Sequence, residues 1–600
     1  MRFIVRKACV ALANPILKEL PFFIMFFFLF GLPILGEILY LFHEYSPMTA
    51  RGLIGRLGLL FLYGYPLTLL IHYSRSKIIK IFVYAIVLFF FGVNTFLAQN
   101  YGYTINMNVL MLVLETNSRE ASEFMNSYLF TEASVTTYGK VVIRLVLILV
   151  LEYVYNRFVI KSHHPHRRLE IWLAIAIVLL FGWGVISFGA IIRICSHNTT
   201  EHFFHQQQIE DIRPTDPISC IILSVYGLRT VSHEMKYAIE TTLNLKEIQP
   251  VDPSDSLDVI LIIGESANKW HFGVYGYEHQ TTPFLSQEVQ KGNLFVFNDV
   301  VCPFCLTSPS VKSMLSCNSI SDGEAWSKHP FVPAIFKAAH YNVYSWDNQK
   351  TFEPGMSYSI SLHSYLFDKQ LSRVSYTAVN DSSFRYDDEL ISSFEKTVQD
   401  VSDHNLILFH LMGQHFLAGE RYPHTDEFTR FTVDSVHRNE DYMQYQLKKQ
   451  RIADYDNAVL YNDAVINHVL NLYRNRNAIV IFLSDHGEET YDYKDAIFRY
   501  YEGYMTKGWI KHVHNIPFMV WCSDRYIHGH EETVNAVRKA VDRPFMIDNL
   551  CHLLFHLGEI RSDYYIPERD LISDQFIPRK RLIEDMFFKK FDYDEIKNNP

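Results

Sequence analysis

Three short stretches of this chain bring acid, imidazole and hydroxyl groups to positions where they could act on one atom. Glu265 and Ser266 follow an apolar run at 259–263. Ser484-Asp485-His486-Gly487-Glu488 follows a second run at 478–483, and His410, Gln414 and His415 end or follow a third at 406–411. Carboxylate and imidazole together are the donors of a borderline cation such as zinc, which takes oxygen and nitrogen ligands in tetrahedral geometry. Taken singly, each has a plainer reading, because a carboxylate after a strand often caps the next helix. An Asp-His pair in a loop is equally at home in solvent. Their joint occurrence is what points to a metal centre.

The elements that would position these groups are short and apolar. The runs at 259–263, 341–344, 406–411, 478–483 and 518–521 are rich in Ile, Leu and Val and do not alternate with polar residues. That pattern belongs to strands covered on both faces. Helical patterns separate them, for example at 455–473. The expectation is an α/β domain with a mainly parallel sheet sandwiched by helices, whose sites form at the carboxyl ends of the strands.

The first third of the chain is different. Five stretches, at 20–42, 52–73, 78–98, 138–158 and 171–192, are long and apolar enough to cross a bilayer as helices. The first is too long and lacks the small-residue site of a cleaved signal peptide. Arg2, Arg6, Lys7 and Lys18 precede it; Arg75, Lys77 and Lys80 follow the second; Arg157, Lys161, Arg167 and Arg168 follow the fourth. These basic loops mark one side as cytoplasmic and deliver the remainder of the chain to the outer face. The expected organisation is a five-helix transmembrane domain at 1–193, a connector at 194–250 with an amphipathic stretch at 218–245 that suits a membrane-surface helix, and an outer catalytic domain at 251–600. The net charge of −10 argues against a nucleic-acid partner. Cys302, Cys305 and Cys317 are either buried thiols or, in an oxidising compartment, a disulfide from Cys317 to one of the other two.

These residues resemble the phosphoethanolamine transferases of the alkaline phosphatase/sulfatase superfamily, of the lipid A and lipopolysaccharide type. The 259–266 segment is similar to the family's opening strand and metal-binding Glu. Tyr275-Gly276-Tyr277 with Thr281-Thr282-Pro283-Phe284 looks like its G-Y-x-x-x-T-T-P segment. His410 to His415, followed by Arg421-Tyr422-Pro423, resembles H-x-x-G-S-H…R-Y-P. Tyr455-Asp456-Asn457 matches Y-D-N, and 484–488 matches S-D-H-G-E. The order of these five blocks behind five apolar spans is specific, although S-D-H-G alone recurs across the superfamily.

The resemblance implies a threonine nucleophile, and Thr307 occupies its place in Thr307-Ser308-Pro309-Ser310-Val311-Lys312, with Ser308 and Ser310 as alternatives because Pro309 and Lys312 depart from the family's residues. It implies zinc held by Glu265, Thr307, Asp485 and His486, in one tight site with a second, weaker one as an option. His415 is expected to contact phosphate or to give a proton to a leaving oxygen. Either His512 or His514 fills a further histidine position, with His514 favoured. Asn348, with Gln349 and Lys350, is a candidate for holding substrate. In the membrane half, Thr116 and Glu120 match a segment that helps form a lipid-headgroup site, where Leu112 replaces the family's Asn and Asn108 lies nearby.

The activity so implied is transfer of phosphoethanolamine from phosphatidylethanolamine, through a phospho-threonine, to lipid A or another glycan acceptor. The protein would be a monomer in a bacterial inner membrane, working in the periplasm. The segment echoes the sulfatase frame C/S-x-P-x-R, but Thr cannot yield the formylglycine aldehyde and Val311 replaces the Arg, so sulfatase activity is not expected. Two alternatives compete: a glycerol-phosphate transferase of the lipoteichoic acid synthase type, and a non-catalytic membrane sensor on the same fold.

Overall fold

The computed structural model describes residues 2–598 apart from 41–49, 102–103, 117, 126–131, 160–166, 211–215, 253–255, 350–361, 399–403, 438–445, 494–496, 500–504 and 586–588. Internal contacts divide the chain into two compact units, Met1–His233 and Glu234–Pro600. The boundary falls inside the expected connector, within the helix Pro217–Leu243.

In the first unit the expected spans coincide with the helices Leu20–Tyr40, Ala50–Ser74, Lys77–Tyr101, Glu132–Val154 and Arg167–Cys195. Aliphatic and aromatic side chains dominate all five, and a helix satisfies its own backbone, as a bilayer interior requires. Among the described residues, three helices are long and apolar enough to cross a membrane: Gly52–Ser74, Lys77–Ala98 and Arg168–Cys195. The pair Ile4–Lys18 and Leu20–Gly31 meets the same test jointly, bent by 71°. An additional helix therefore precedes the first expected span. Glu19, at that bend, is 2.9 Å from Lys80, and Lys80 also pairs with Glu152. Lys80 thus ties the bend to the helices Lys77–Tyr101 and Glu132–Val154 and gives each of the two acids a cationic partner.

The second unit is built on a seven-stranded sheet. Its strands lie in the order Leu294–Val296, Phe518–Cys522, Ala478–Ser484, Leu257–Gly264, His404–His410, Asn342–Asp347 and Ala378–Val379. Phe518–Cys522 runs antiparallel to both neighbours, and the remaining pairs are parallel. Every residue of the three central strands is buried, which accounts for their unbroken apolar runs. The long helix Gln446–Tyr473 presents Val459, Val465, Ile466 and Val469 to the same core as Ile260, Ile262, Phe409 and Phe482.

Register now positions the chemistry. Ile263 pairs with His410, and Gly264 pairs with Ser484. The chain therefore leaves three adjacent strands at one edge, delivering Glu265, the 411–415 loop and Asp485 together. The ladder extends a step further: Leu411 N–H donates to the Ile263 carbonyl at 2.9 Å and Asp485 N–H to the Gly264 carbonyl at 3.0 Å.

Candidate metal and phosphoryl centre

Glu265, Asp485 and His486 are wholly buried, and their ligand atoms lie within 4.8 Å of one another. His486 Nε2 is 3.4 Å from Glu265 Oε1 and 3.2 Å from Asp485 Oδ2. Asp485 is held by two backbone donors, Ser266 N–H at 3.2 Å and His486 N–H at 2.7 Å, both to Oδ1. His486 Nδ1 lies 2.9 Å from the Gly487 carbonyl. A proton there donates to that carbonyl and leaves the Nε2 lone pair facing the carboxylates, the tautomer a metal-bound histidine takes.

Thr307 joins this group. Its hydroxyl donates to Glu265 Oε2 at 2.8 Å and stands 3.4 Å from His486 Nε2. It is the first residue of the helix Thr307–Met314, whose preceding residue, Leu306, supplies no side-chain cap. Of the alternative hydroxyls, Ser310 donates instead to the Phe304 carbonyl at 3.1 Å, and Ser308 is buried. Ser266 and Gln349 complete the shell around Glu265, donating to Oε1 at 2.6 Å and to Oε2 at 3.1 Å.

Burial alone would raise both carboxyls. For Glu265, the His486 and His415 imidazoles, with Asp485 and Arg499, outweigh burial and hold it well below the usual carboxylate range. Asp485 goes the other way: burial, and then the charge of Glu265, push it well above that range. Burial, followed by the Arg499 charge, lowers His486 to about 3, so its imidazole is neutral. Two enclosed carboxylates that cannot comfortably both ionise, beside a neutral imidazole, are a donor set matched to a divalent cation. Glu265, Asp485, His486 and the Thr307 hydroxyl fit zinc by this chemistry.

The flanking loops explain two glycines. Gly413, at φ +49°, crosses Glu265 so closely that a Cβ would stand 2.8 Å from the Glu265 carbonyl oxygen. At Gly487 a Cβ would meet the His512 carbonyl oxygen at 2.1 Å. The two histidine candidates beside this crossing have different partners. His514 Nδ1 lies 2.8 Å from the Cys302 carbonyl, and its buried Nε2 has no hydrogen-bond partner. Burial lowers its pKa to about 4, which keeps it neutral. His512 lies 3.3 Å from Asn268 Nδ2 and 3.7 Å from Asp492. His415 lies near enough to the centre for its charge to act on Glu265, and Arg421 braces its carbonyl at 2.7 Å.

Other expected residues sit differently. Asn348 is buried with both ends of its amide engaged: Nδ2 donates to Asp387 at 2.8 Å, and Oδ1 accepts from Phe384 N–H at 2.7 Å. Its neighbour Gln349 is the one that reaches Glu265, while Lys350 lies outside the described residues. Thr116 ends the helix Met107–Glu115, and its hydroxyl donates to the Leu112 carbonyl at 2.6 Å. Glu120 falls in the helix Ser118–Phe124, with its side chain outside the described residues. All eight cysteines are free, and Cys317 takes Cys551 as its thiol partner rather than Cys302 or Cys305. Sequence reasoning missed Arg499, whose Nη1 is 2.6 Å from His486 Nε2. No motif marks it; a hairpin brings it back to the centre.

Residues 258–550 match the family model described as Sulfatase. The chain is 25% identical over 489 residues to phosphoethanolamine transferase EptC of Escherichia coli (strain K12), covering 79% of this chain and 78% of that protein. It is 26% identical over 487 residues to phosphoethanolamine transferase CptA of Salmonella typhimurium, covering 78% of each. Among solved structures, the integral membrane protein lipooligosaccharide phosphoethanolamine transferase A from Neisseria meningitidis aligns over 94% of this chain and 98% of its own, with a TM-score of 0.56 and 18% identity. That likeness is one of fold.

Proposed function

Starting from a chain that belongs to the phosphoethanolamine transferases of the sulfatase superfamily, we propose that it moves phosphoethanolamine from phosphatidylethanolamine to an extracytoplasmic acceptor through a phosphorylated Thr307. The observation that carries this reading is the Thr307 hydroxyl set between Glu265 and His486. An alkyl hydroxyl is a weak nucleophile at neutral pH and needs activation. Zinc held by Glu265, Thr307, Asp485 and His486 would supply it, lowering the pKa of the hydroxyl and drawing charge from a phosphoryl oxygen.

The chain's own groups do the rest. Glu265 accepts the Thr307 hydrogen bond and so aims the oxygen. The uncapped helix start at Thr307 offers backbone N–H groups and the positive end of the helix dipole to an anionic phosphoryl group. As the Thr307 Oγ–phosphorus bond forms, the hydroxyl proton leaves along its hydrogen bond to Glu265 Oε2, the bond from phosphorus to the glyceride oxygen breaks, and His415 gives that oxygen a proton. The neutral His514, with its Nδ1 proton on the Cys302 carbonyl, offers its Nε2 lone pair to a second, weaker metal through which it would serve the substrate. A hydroxyl or phosphate of the acceptor then displaces Thr307. Lipid A or a related glycan is the acceptor class in this proposal. Thr116 and Glu120 are proposed to receive the ethanolamine ammonium, with the protein a monomer in a bacterial inner membrane and its active site in the periplasm.

The test is intact-mass analysis of zinc-loaded protein quenched after mixing with phosphatidylethanolamine. A phosphoethanolamine adduct mapping to Thr307, absent in Thr307→Ala, is expected. An adduct that survives in Thr307→Ala overturns the nucleophile, and a glycerol-phosphate adduct from phosphatidylglycerol overturns the donor.

A further inference from the structure

Glu489–Thr490 and Ile497–Phe498 form a two-stranded antiparallel hairpin in which Glu489 faces Phe498 and Thr490 faces Ile497. One step beyond its open end, the same register sets Arg499 opposite Glu488. The hairpin thus returns a basic side chain to the motif that ends the Ala478–Ser484 strand. Arg499 Nη1 lies 2.6 Å from His486 Nε2, and Nε lies 4.0 Å from Glu488 Oε2. A weaker contact runs from Nη1 to the Cys305 carbonyl at 3.4 Å. The Thr307 hydroxyl stands on the same imidazole nitrogen at 3.4 Å. Guanidinium and nucleophile therefore share one neighbourhood.

We infer that Arg499 is a second cation of this centre, carried by the protein, which alternates between the His486 imidazole and the anionic phosphoryl group of the substrate. The inference rests on the reading of the site as one for phosphoryl transfer. A guanidinium has donors and no acceptor, and His486 Nε2 has a single lone pair. That lone pair serves Arg499 or a metal ion, not both. With His486 committed to a metal, the planar N–H fork of Arg499 is available to phosphate oxygens, which it matches in geometry and charge. Three buried carboxylates, Glu265, Asp485 and Glu488, surround the site. They keep a cation there in either arrangement. Arg499 is then a catalytic residue that binds the transferred group, and also a competitor of the metal for His486.

The full-length chain in detergent, as wild type, Arg499→Met and Arg499→Lys, tests this with zinc and inorganic phosphate alone. Chelator competition should show Arg499→Met binding zinc about tenfold more tightly, because the competitor is gone. Phosphate titration of the zinc-loaded protein should show roughly 10- to 100-fold weaker binding in Arg499→Met, the loss of a charge-assisted contact, with part of it restored in Arg499→Lys. Zinc affinity that is unchanged or weaker in Arg499→Met, or phosphate affinity equal to wild type, overturns the inference. Should Arg499→Met fail to fold, Arg499→Lys carries the phosphate test, since it keeps the charge and loses the fork. Neither readout contains lipid. A protein with both expected shifts but no Thr307 adduct from phosphatidylethanolamine would retain this role for Arg499 and lose its proposed donor.

Discussion

Glu265 touches Thr307, Ser266, Gln349 and His486, so the centre is a single hydrogen-bonded cluster in which each side chain orients another. Substitutions there should separate by what they touch. Losing a partner one bond removed from a metal weakens binding roughly 10- to 100-fold. Asp485→Asn removes a direct donor and is expected to weaken zinc binding by more than that in chelator competition. Asn348→Ala makes the contrast. It leaves the buried Asp387 without its amide partner, and should cost about 1–3 kcal/mol of stability while zinc affinity stays at wild type. Equal zinc affinity in wild type and Asp485→Asn would remove Asp485 from the ligand set.

Segments far apart in the chain meet on the helix Gln446–Tyr473. Tyr455 O–H donates to the Ser266 carbonyl at 2.6 Å and accepts from Asn268 N–H at 2.7 Å, which pins the turn after Glu265. Asp456 gathers His271 at 2.6 Å, His279 at 2.7 Å and Tyr277 at 3.0 Å, and His271 also reaches Asp492 at 3.1 Å. The Y-D-N and G-Y blocks are thus two sides of one clamp. Burial disfavours the charged form of His271, but Asp492 and Asp456 overcome it and raise its pKa from 6.5 to about 9. A histidine raised on folding contributes stability that is complete below its unfolded pKa and is lost as pH rises through the folded one. Wild type should therefore lose stability between about pH 6.5 and 9 in denaturant titrations, and His271→Asn should lose less over the same window. Parallel pH profiles for the two proteins would show that the clamp does not hold His271 charged.

At the scale of the molecule, Met1–His233 and Glu234–Pro600 each have their own interior. Only the second contains the candidate metal ligands. Calorimetry of the detergent-solubilised chain should accordingly show two transitions, of which a chelator lowers one, because a ligand stabilises the unit that binds it. Limited proteolysis would assign the shifted transition to Glu234–Pro600, and a chelator shift of both would argue against separate units.

Much of this was legible along the chain. Apolar runs without alternation marked the central strands, and acids and imidazoles directly after them marked the edge where a site forms. Five apolar stretches fell on five helices, three of which are, among the described residues, long and apolar enough to cross a membrane by themselves. These are local properties, because strand burial and donor chemistry are written in residue type and spacing. What needed the tertiary structure was coincidence in space. His512 and His514 differ only in the partners that folding brings, Asn268 for one and the Cys302 carbonyl for the other, and Cys317 meets Cys551 only because distant segments pack together. Asn348 turned inward to Asp387 while Gln349 reached Glu265, a choice made by neighbouring strands. Arg499 arrived by a hairpin with no apolar period to announce it. Residue type and period determine which elements form and what chemistry they carry. Register and chain crossings, set by the packing of the whole sheet, decide which of those groups share a point.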